Sequence, residues 1–359
     1  MNRKYNFGAG PAALPLSVLE EIKSEILNWR DLGLSVLEIS HRSDEFQQIA
    51  NEAELDFKDL LNISEEYCVL FLHGGATLQN AMIPLNFSSK EATVSYVNSG
   101  YWAKRALKEA KKFTKVEIAA SSEESNYSYF PKQESWEINN TFRYIHITPN
   151  ETIGGISLRK VGTTEIPLIA DYSSSILSEP LDIEKFGMIY GGAQKNIGPA
   201  GMGFSVIKKD LLNKAQEITP TMLNYNTYFE TFSMYNTPPI FSWYVAGKVF
   251  KWLKNLGGLN KISEVNNRKS KKIYNFIDNS DLFLNNVQED SRSIMNIPFQ
   301  LRDESLNKKF LVESEDCNLI ALKGHRSVGG MRASIYNAMP EEGVDSLIDF
   351  MDSFERKNS

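Results

Sequence analysis

The chain has 359 residues, of which 42% are hydrophobic and 23% are charged, a balance that excludes disordered and fibrous classes. Its formal net charge of -6 argues against general binding to nucleic acid, so an anionic ligand must meet a few local basic residues. No apolar stretch has the length of a signal peptide or of a membrane span, and we expect a cytoplasmic protein. Cys68 and Cys317 are far apart and suggest neither a disulfide framework nor a metal site.

Helical spacing alternates with short β-branched runs through the first 250 residues. In chain order, the pattern predicts helices over residues 16–29 and 46–61, strands over 68–72, 92–97, 144–147 and 166–170, and a helix over 244–256. This alternation indicates an α/β fold with a mainly parallel central sheet. Later elements are shorter and more polar. We expect an N-terminal segment over 1–15, a large α/β domain over 16–256 and a small α+β domain over 257–359.

Ligands of open α/β sheets bind beyond the carboxyl ends of the strands, so the residues that follow the apolar runs are the first functional candidates. The run 69–72 leads into Gly74-Gly75-Ala76-Thr77 and then a helical segment. The two glycines permit close approach of the backbone, and a helix start offers N–H groups to a phosphate. A Gly-Gly pair more often marks a simple turn, so both interpretations stay open on these residues alone.

A carboxylate follows another predicted core strand, because Asp171 comes directly after the run 166–170. Asp171 could cap the strand in solvent. In a dry site it could instead pair with a cationic ring nitrogen.

The segment MIYGGAQKNIGPAGMGFSVI is the most specific in the chain. It places Lys195 between tight glycine turns and apolar strand-like runs. Removal from water lowers the pKa of a lysine, and the neutral amine attacks aldehydes to form an imine. A surface lysine at a loop tip is the alternative, and the nearby Asp171 favours the Schiff-base interpretation.

Two His-Arg dipeptides occur in loop-like contexts, His41-Arg42 and His325-Arg326, and Arg332 follows the second. Arginine binds carboxylate and phosphate through paired hydrogen bonds, and histidine adds a donor whose charge changes near neutral pH. Each pair alone could be surface decoration. Together with Lys195 they indicate a substrate with two anionic ends.

A family resemblance runs nearly from end to end of the chain. The chain resembles the phosphoserine aminotransferases, a class V family of the fold type I pyridoxal 5'-phosphate enzymes. The segments that carry the resemblance are NFGAGPAALP, SHRS, HGGATLQ, VNSGYWAKRA, TPNETIGG, ADYSSSI, YGGAQKNIGPAG, NTPPIFSWY and GHRSVGGMRASIYNAM.

For the cofactor ring, the resemblance implies that Lys195 forms the Schiff base and that Asp171 pairs with the pyridinium nitrogen. It also implies that Trp102 stacks on the ring and that Thr152 hydrogen-bonds the phenolic oxygen. Without the resemblance, Trp102 would be interpreted as a core aromatic.

For the cofactor phosphate, the resemblance implies contacts from Gln194 and from the backbone of Ala76 and Thr77. Some relatives carry arginine where this chain has Thr77. Asn236 and Thr237 would join from a second subunit, so the resemblance implies a homodimer with sites at the interface.

For the substrate, the resemblance implies that Arg332 binds the α-carboxylate. His41, Arg42, His325 and Arg326 would surround the distal phosphate of one substrate or the side-chain carboxylate of glutamate.

The reaction implied is amino transfer from L-glutamate to 3-phosphooxypyruvate, giving O-phospho-L-serine and 2-oxoglutarate for serine biosynthesis. 4-Phosphohydroxy-L-threonine, an intermediate of vitamin B6 synthesis, stays open as a further substrate. Two alternatives remain at this point. One is another class V aminotransferase or a desulfurase, and the other is a catalytically silent cofactor-binding regulator.

Overall fold

The computed structural model describes residues 3–358, so residues 1, 2 and 359 of the predicted terminal segments lie outside the described residues. The α-helices are α1 (Leu16–Glu25), α2 (Asp44–Leu61), α3 (Gly75–Phe87), α4 (Tyr101–Ala110), α5 (Tyr225–Glu230), α6 (Ile240–Asn255), α7 (Gly258–Asp278), α8 (Asn307–Asp316) and α9 (Glu341–Asn358). The strands are β1 (Tyr5–Asn6), β2 (Tyr67–His73), β3 (Thr93–Asn98), β4 (Lys115–Ser121), β5 (Ile145–Ile147), β6 (Asn150–Glu151), β7 (Ile156–Ser157), β8 (Leu168–Asp171), β9 (Met188–Gly192), β10 (Met202–Lys208), β11 (Phe283–Leu284), β12 (Asn296–Leu301), β13 (Leu319–Ile320) and β14 (Met331–Ser334).

A seven-stranded sheet forms the centre of the molecule, in the order β2-β10-β9-β8-β5-β3-β4. The neighbours from β9 to β4 pair in parallel, whereas β10 pairs antiparallel with both β9 and β2. The expected α/β fold with a mainly parallel sheet is therefore confirmed. Since the parallel strands share one direction, their carboxyl ends meet at one edge, where ligands of such sheets bind.

Helices cover both faces of this sheet. On α2 the buried side chains recur at helical spacing and face α6, and Ser43 caps the helix by accepting from the Phe46 N–H. Phe57 packs on Phe71 and Phe250, with ring centroids 5.9 and 5.0 Å apart. Burying each such ring contributes about 1.5–3 kcal/mol. On the opposite face, α3 and α4 pack over residues such as Leu70.

Two predicted helix boundaries were wrong. The helix expected over 16–29 ends at Glu25, and a short 3-10 segment follows in which Arg30 has a φ of 46°. The Asn28 side chain stabilises this turn by accepting from the Gly33 N–H at 2.6 Å. Trp29 is buried by the turn, so its apolar character reflected tertiary burial and did not reflect a continued helix. The last predicted helix of the large domain starts at Ile240, four residues early, directly after Pro239.

The C-terminal region has its own apolar core around a three-stranded antiparallel sheet, β11-β12-β14. Strand β1 pairs with β13, and Phe7 is fully buried in this core. Helix α7 links the regions: Leu259 packs in the core of the central sheet and Ile273 in the C-terminal core. We therefore propose a large domain over 16–256 and a small domain over 257–359 that also incorporates the N-terminal segment.

Candidate active site

A cavity of about 500 Å³ lies at the carboxyl edge of the central sheet. Seven residues predicted to bind the cofactor line it: Ala76, Thr77, Trp102, Thr152, Asp171, Gln194 and Lys195. They come from separate parts of the chain, and the parallel strands bring them together because each follows the same end of a strand. A second cavity of about 630 Å³ is lined by Tyr101 and Val328 but by none of these seven residues.

Lys195 lies in the loop that joins the antiparallel strands β9 and β10. Its side chain is only 9% exposed, and Nζ donates a hydrogen bond to Thr152 Oγ1 at 2.6 Å. Burial lowers the pKa of Lys195 to about 8, against the opposing charges of Asp171 and Glu151. A lysine with this pKa has a substantial neutral, nucleophilic fraction near physiological pH.

Asp171 ends β8, and two donors of Ser173 hold its carboxylate. The Ser173 N–H donates to Oδ1 at 2.9 Å and the Ser173 hydroxyl donates to the same oxygen at 2.5 Å. Burial raises the pKa of Asp171, while these bonds and Lys195 lower it. Because both bonds use Oδ1, Oδ2 stays available for a cationic donor from a ligand.

The Gly-Gly turn after β2 forms an anion-binding geometry. Gly74 and Gly75 have φ values of 80° and 57°, in the left-handed region that favours glycine, and α3 starts at Gly75. The first backbone N–H groups of an α-helix have no partner within the helix and attract anions. Ala76 and Thr77 occupy this first turn, so their N–H groups are suited to a phosphate.

Trp102 stands in the first turn of α4 and is partly buried in the cavity wall. Lys195 Nζ is 5.9 Å from the centroid of its ring. The backbone N–H groups of Trp102 and Ala103 both donate to Glu151, at 3.0 and 2.8 Å. The ring is thus presented beside the lysine by a buried carboxylate.

Arg332 lies on β14 beside the cavity, and its Nη1 donates to the carbonyl of the lining residue Thr152 at 3.4 Å. Burial lowers its pKa. His325 packs on Tyr101 with ring centroids 5.3 Å apart, and its Nδ1 is 2.7 Å from the Ser327 hydroxyl oxygen. Burial and the charges of Arg332 and Arg326 lower the pKa of His325. The guanidinium groups of Arg326 and Arg332 make the region around His325 electropositive.

Seven predicted site residues are not among those that line the cavity of the single chain. Three of them, His325, Arg326 and Arg332, lie in the segment just described, and the other four are His41, Arg42, Asn236 and Thr237. The two segments that carry them are linked to each other. Gln47 Nε2 donates to the His41 carbonyl at 3.0 Å and lies 3.1 Å from Met234 Sδ. His73 Nε2 is 2.9 Å from the Thr237 carbonyl oxygen, which holds that segment beside the Gly-Gly turn.

Sequence reasoning missed Glu151 and Ser173 as functional candidates. Glu151 stands inside the segment TPNETIGG, directly before Thr152, and Ser173 stands inside ADYSSSI, two residues after Asp171. A buried acid is visible only when the fold shows what surrounds it. For Ser173, the spacing of two residues after Asp171 is typical of an Asx turn and could have identified it.

Unpartnered donors show that the site suits a polar, aromatic ligand. Within residues 3–358, Trp102 Nε1 and Arg332 Nε are buried without a hydrogen-bond partner. A buried donor without a partner costs about 1–3 kcal/mol, which a ligand acceptor would offset. With the lowered pKa of Lys195, the available Asp171 oxygen and the helix start, these donors fit pyridoxal 5'-phosphate and an anionic substrate.

The described helices include none that is long and apolar enough to cross a bilayer. Across the same part of the chain, no group of three or more His, Cys, Asp or Glu side chains could hold a metal ion.

Comparison with known proteins gives a consistent family. The family model of aminotransferase class-V matches residues 4–347. A relative named phosphoserine aminotransferase, from Hahella chejuensis, is 50% identical over 100% of this chain and 99% of its own length. The phosphoserine aminotransferase structure from Bacillus circulans subsp. alkalophilus is 45% identical with a TM-score of 0.98, and the alignment covers 100% of both chains.

A structure of phosphoserine aminotransferase from Trichomonas vaginalis, described as PLP bound, is 38% identical with a TM-score of 0.93, covering 98% of this chain and 100% of that one. The match to the family model spans almost the whole sequence. The chain therefore belongs to the class V aminotransferase family.

Proposed function

We propose that this protein is a pyridoxal 5'-phosphate-dependent transaminase that transfers the amino group of L-glutamate to 3-phosphooxypyruvate. The products are O-phospho-L-serine and 2-oxoglutarate. The observation that carries the proposal is the buried Lys195, with a pKa of about 8, beside Asp171 and Thr152 in one cavity. The relatives named phosphoserine aminotransferase supply the substrate class.

The cofactor is held from several sides in this proposal. Lys195 attaches it covalently, Asp171 pairs with the ring nitrogen, and Trp102 stacks on the ring. The N–H groups of Ala76 and Thr77, together with Gln194, bind the phosphate. When bound, the cofactor supplies an electron-accepting ring that stabilises carbanion character at the substrate α-carbon.

Lys195 also moves the proton. With the cofactor bound, the neutral amine of Lys195 would take the proton from the substrate α-carbon as a general base and give it up on the other side of the substrate nitrogen. The Thr152 hydroxyl, 2.6 Å from Nζ, positions the amine for this transfer. Asp171 acts as a carboxylate that favours a protonated ring nitrogen, and the two Ser173 donors stabilise that charged form.

Substrate selection depends on the electropositive end of the site. Arg332 binds the α-carboxylate, and His325 with Arg326 binds the distal anion. Arg332 is partly buried and Arg326 is exposed, so a distal anion gains paired hydrogen bonds that a neutral side chain cannot make, and substrates with neutral side chains are disfavoured. L-Alanine is therefore expected to react far more slowly than O-phospho-L-serine, and equal rates would remove this part of the proposal.

A homodimer completes the site in this proposal. Asn236 and Thr237 reach the cofactor phosphate of the neighbouring subunit. Gln47 contacts both His41 and Met234, so His41 and Arg42 lie close to the segment that contains Asn236 and Thr237. Exposed apolar side chains in two nearby segments support an interface: Leu32, Leu34, Leu37, Phe229, Phe232 and Tyr235. A sedimentation measurement that finds a fully active monomer would remove this claim.

The function is tested by following the absorbance of the bound cofactor. O-Phospho-L-serine should abolish the lysine-bound band, and 2-oxoglutarate should restore it, whereas Lys195→Ala should show no such band. Absence of the band in the wild-type protein would reject the cofactor. If the band is present but does not change when O-phospho-L-serine is added, the cofactor assignment stands and the proposed substrate is wrong.

The desulfurase alternative lacks its nucleophile. Such chemistry needs a reactive thiolate that reaches the substrate. Cys68 is buried in β2, and burial raises its pKa to about 11. Cys317 is exposed at the end of α8, and neither cysteine lines the cavity. A silent regulator is disfavoured because the lysine, the acid and the substrate arginine converge.

A further inference from the structure

Glu151 is a fully buried acid, with 0% of its surface exposed, to which the family resemblance gives no role. Its two carboxylate oxygens accept from consecutive backbone donors, Oε1 from the Ala103 N–H and Oε2 from the Trp102 N–H. These donors belong to the first turn of α4, where no partner exists within the helix. Gly100, at the N-cap, offers no side chain for capping. The cap of α4 therefore comes from a distant part of the chain.

We propose that Glu151 is a positioning residue that fixes Trp102 against the cofactor ring by holding the first turn of α4. The proposal rests on the proposed function, because Trp102 has this role only with the cofactor. Glu151 itself need not touch the cofactor or the substrate. Glu151 acts by fixing the first turn of α4, which sets the orientation of the Trp102 indole ring.

The carboxylate is attached to a fixed framework. Glu151 lies in the β6–β7 hairpin, where its carbonyl accepts from the Gly155 N–H at 2.8 Å. The preceding Asn150 donates to Ser174 Oγ at 2.7 Å and to Asn296 Oδ1 at 2.8 Å. Because the hairpin is held by both domains, the first turn of α4 takes its position from this hairpin.

The next residue links the same hairpin to the chemistry. Thr152 contacts Lys195 through its hydroxyl and Arg332 through its carbonyl. The dipeptide Glu151-Thr152 therefore sets Trp102, the reactive amine and the substrate arginine relative to one another. A shift of about 1 Å in such an arrangement can cost two orders of magnitude in rate.

Gly100 is fitted to this carboxylate. A Cβ at Gly100 would lie 2.5 Å from Glu151 Cδ and 2.8 Å from Oε2. The φ of Gly100 is 165°, an extended value that any residue adopts, so space and not backbone strain requires glycine. Because Gly100 has no Cβ, the Glu151 carboxylate has the space it needs at the N-cap of α4.

Charge supports the same role. Burial raises the pKa of Glu151 to about 7, the two N–H donors lower it, and Asp171 raises it further. Lys195 opposes these effects by stabilising the carboxylate. Hydrogen bonds to an ionised acceptor are about twice as strong as neutral ones, so the ionised form holds α4 more firmly.

The first experiment is a double-mutant cycle on cofactor affinity of the apoprotein. Glu151→Gln keeps the shape but places an amide donor against a backbone N–H, and Trp102→Ala removes the stacking ring. We expect each change to weaken cofactor binding about tenfold, and the double variant to lie within about twofold of Trp102→Ala alone. The proposal would be overturned if the double variant lost affinity by the product of the two single losses, or if Glu151→Gln left the affinity unaltered.

A second readout needs no cofactor. The difference in tryptophan fluorescence between the wild-type apoprotein and Trp102→Ala gives the contribution of Trp102. Acrylamide quenching of this contribution reports how exposed the Trp102 side chain is. Quenching of this component should rise in Glu151→Gln. Glu123→Gln is the matched control, since Glu123 bonds the exposed Lys104 of the same helix, and it should change neither quenching nor affinity. Equal quenching in wild type and Glu151→Gln contradicts the proposal.

If Glu151→Gln does not fold, Gly100→Ala provides an independent test, made once in the wild-type protein and once in a Glu151→Ala variant. The added methyl should displace Glu151 and weaken cofactor binding, whereas in a Glu151→Ala background the same methyl should change the affinity by less than about twofold. An equal loss in both backgrounds overturns the proposal. A wild-type protein that binds no cofactor would instead reject the proposed function, which distinguishes the two failures.

Discussion

The Lys195 ammonium donates to the Thr152 hydroxyl at 2.6 Å, and the carbonyl of the same threonine accepts from Arg332 at 3.4 Å. A single residue therefore contacts both the candidate nucleophile and the candidate carboxylate-binding group. Binding of an aldehyde at Lys195 would release the threonine hydroxyl for a new partner, such as the phenolic oxygen of the cofactor. The hydroxyl thus suits both the free and the cofactor-bound lysine.

The reactivity of Lys195 should depend on pH with a midpoint near 8. Its pKa is lowered to about 8 by burial, so below that pH the amine is protonated and cannot attack an aldehyde, and above it the amine is neutral. The rate at which the apoprotein captures cofactor should therefore rise with pH and level off above about 8. Stopped-flow absorbance measures this rate, with Lys195→Ala as the blank. A midpoint near 10.5, the ordinary lysine value, would show that Lys195 is not desolvated.

Asp171→Asn should retain the cofactor but slow its chemistry. The amide oxygen can still accept from Ser173, so the local turn is preserved, but the negative charge that favours a protonated ring nitrogen is lost. We expect a fall of about two orders of magnitude in the rate of each half-reaction, about 2.7 kcal/mol. Single-turnover absorbance measures it. Ser173→Ala should have a smaller effect, because the charge remains. A wild-type rate in Asp171→Asn would exclude the pairing.

Arg332→Lys should lower kcat/KM for every amino-acid substrate, whereas Arg326→Lys should lower it mainly for substrates with a distal anion. Lysine keeps the charge but loses the paired donors that fit a carboxylate, a loss of about 2–3 kcal/mol. kcat/KM for O-phospho-L-serine and L-glutamate should fall about 30- to 160-fold in Arg332→Lys. Comparison with L-alanine separates the two positions. If Arg326→Lys lowers the L-alanine rate as much, Arg326 does not select the distal group.

Lys269→Met should destabilise the protein without touching the site. Lys269 is fully buried on α7 and donates to the carbonyls of Ile335, Tyr336 and Met339 at 3.0–3.1 Å. Methionine fills similar space but leaves these carbonyls without a donor, which costs about 2–4 kcal/mol. Chemical denaturation measures the loss. Lys271→Met, on an exposed position of the same helix, is the matched control, and equal midpoints for the two variants would refute the prediction.

The alternation of strands and helices can be predicted from the sequence, because buried strands and amphipathic helices require different apolar periods. The sequence also determined Lys195 and Asp171 as candidates, since both follow core strands in the chain. The boundary after α1 was not predictable, because Trp29 owes its burial to contacts made by a turn and not to helical periodicity.

The three-dimensional fold determines which polar groups share the cavity and how they change each other's pKa values. The lowered pKa of Lys195 arises from burial by segments far apart in the sequence, and Glu151 caps α4 across a long stretch of chain. Desolvation and hydrogen bonding depend on distance in space, and local patterns carry no record of it. The sequence therefore specified the chemical groups, and the parallel sheet brought them together.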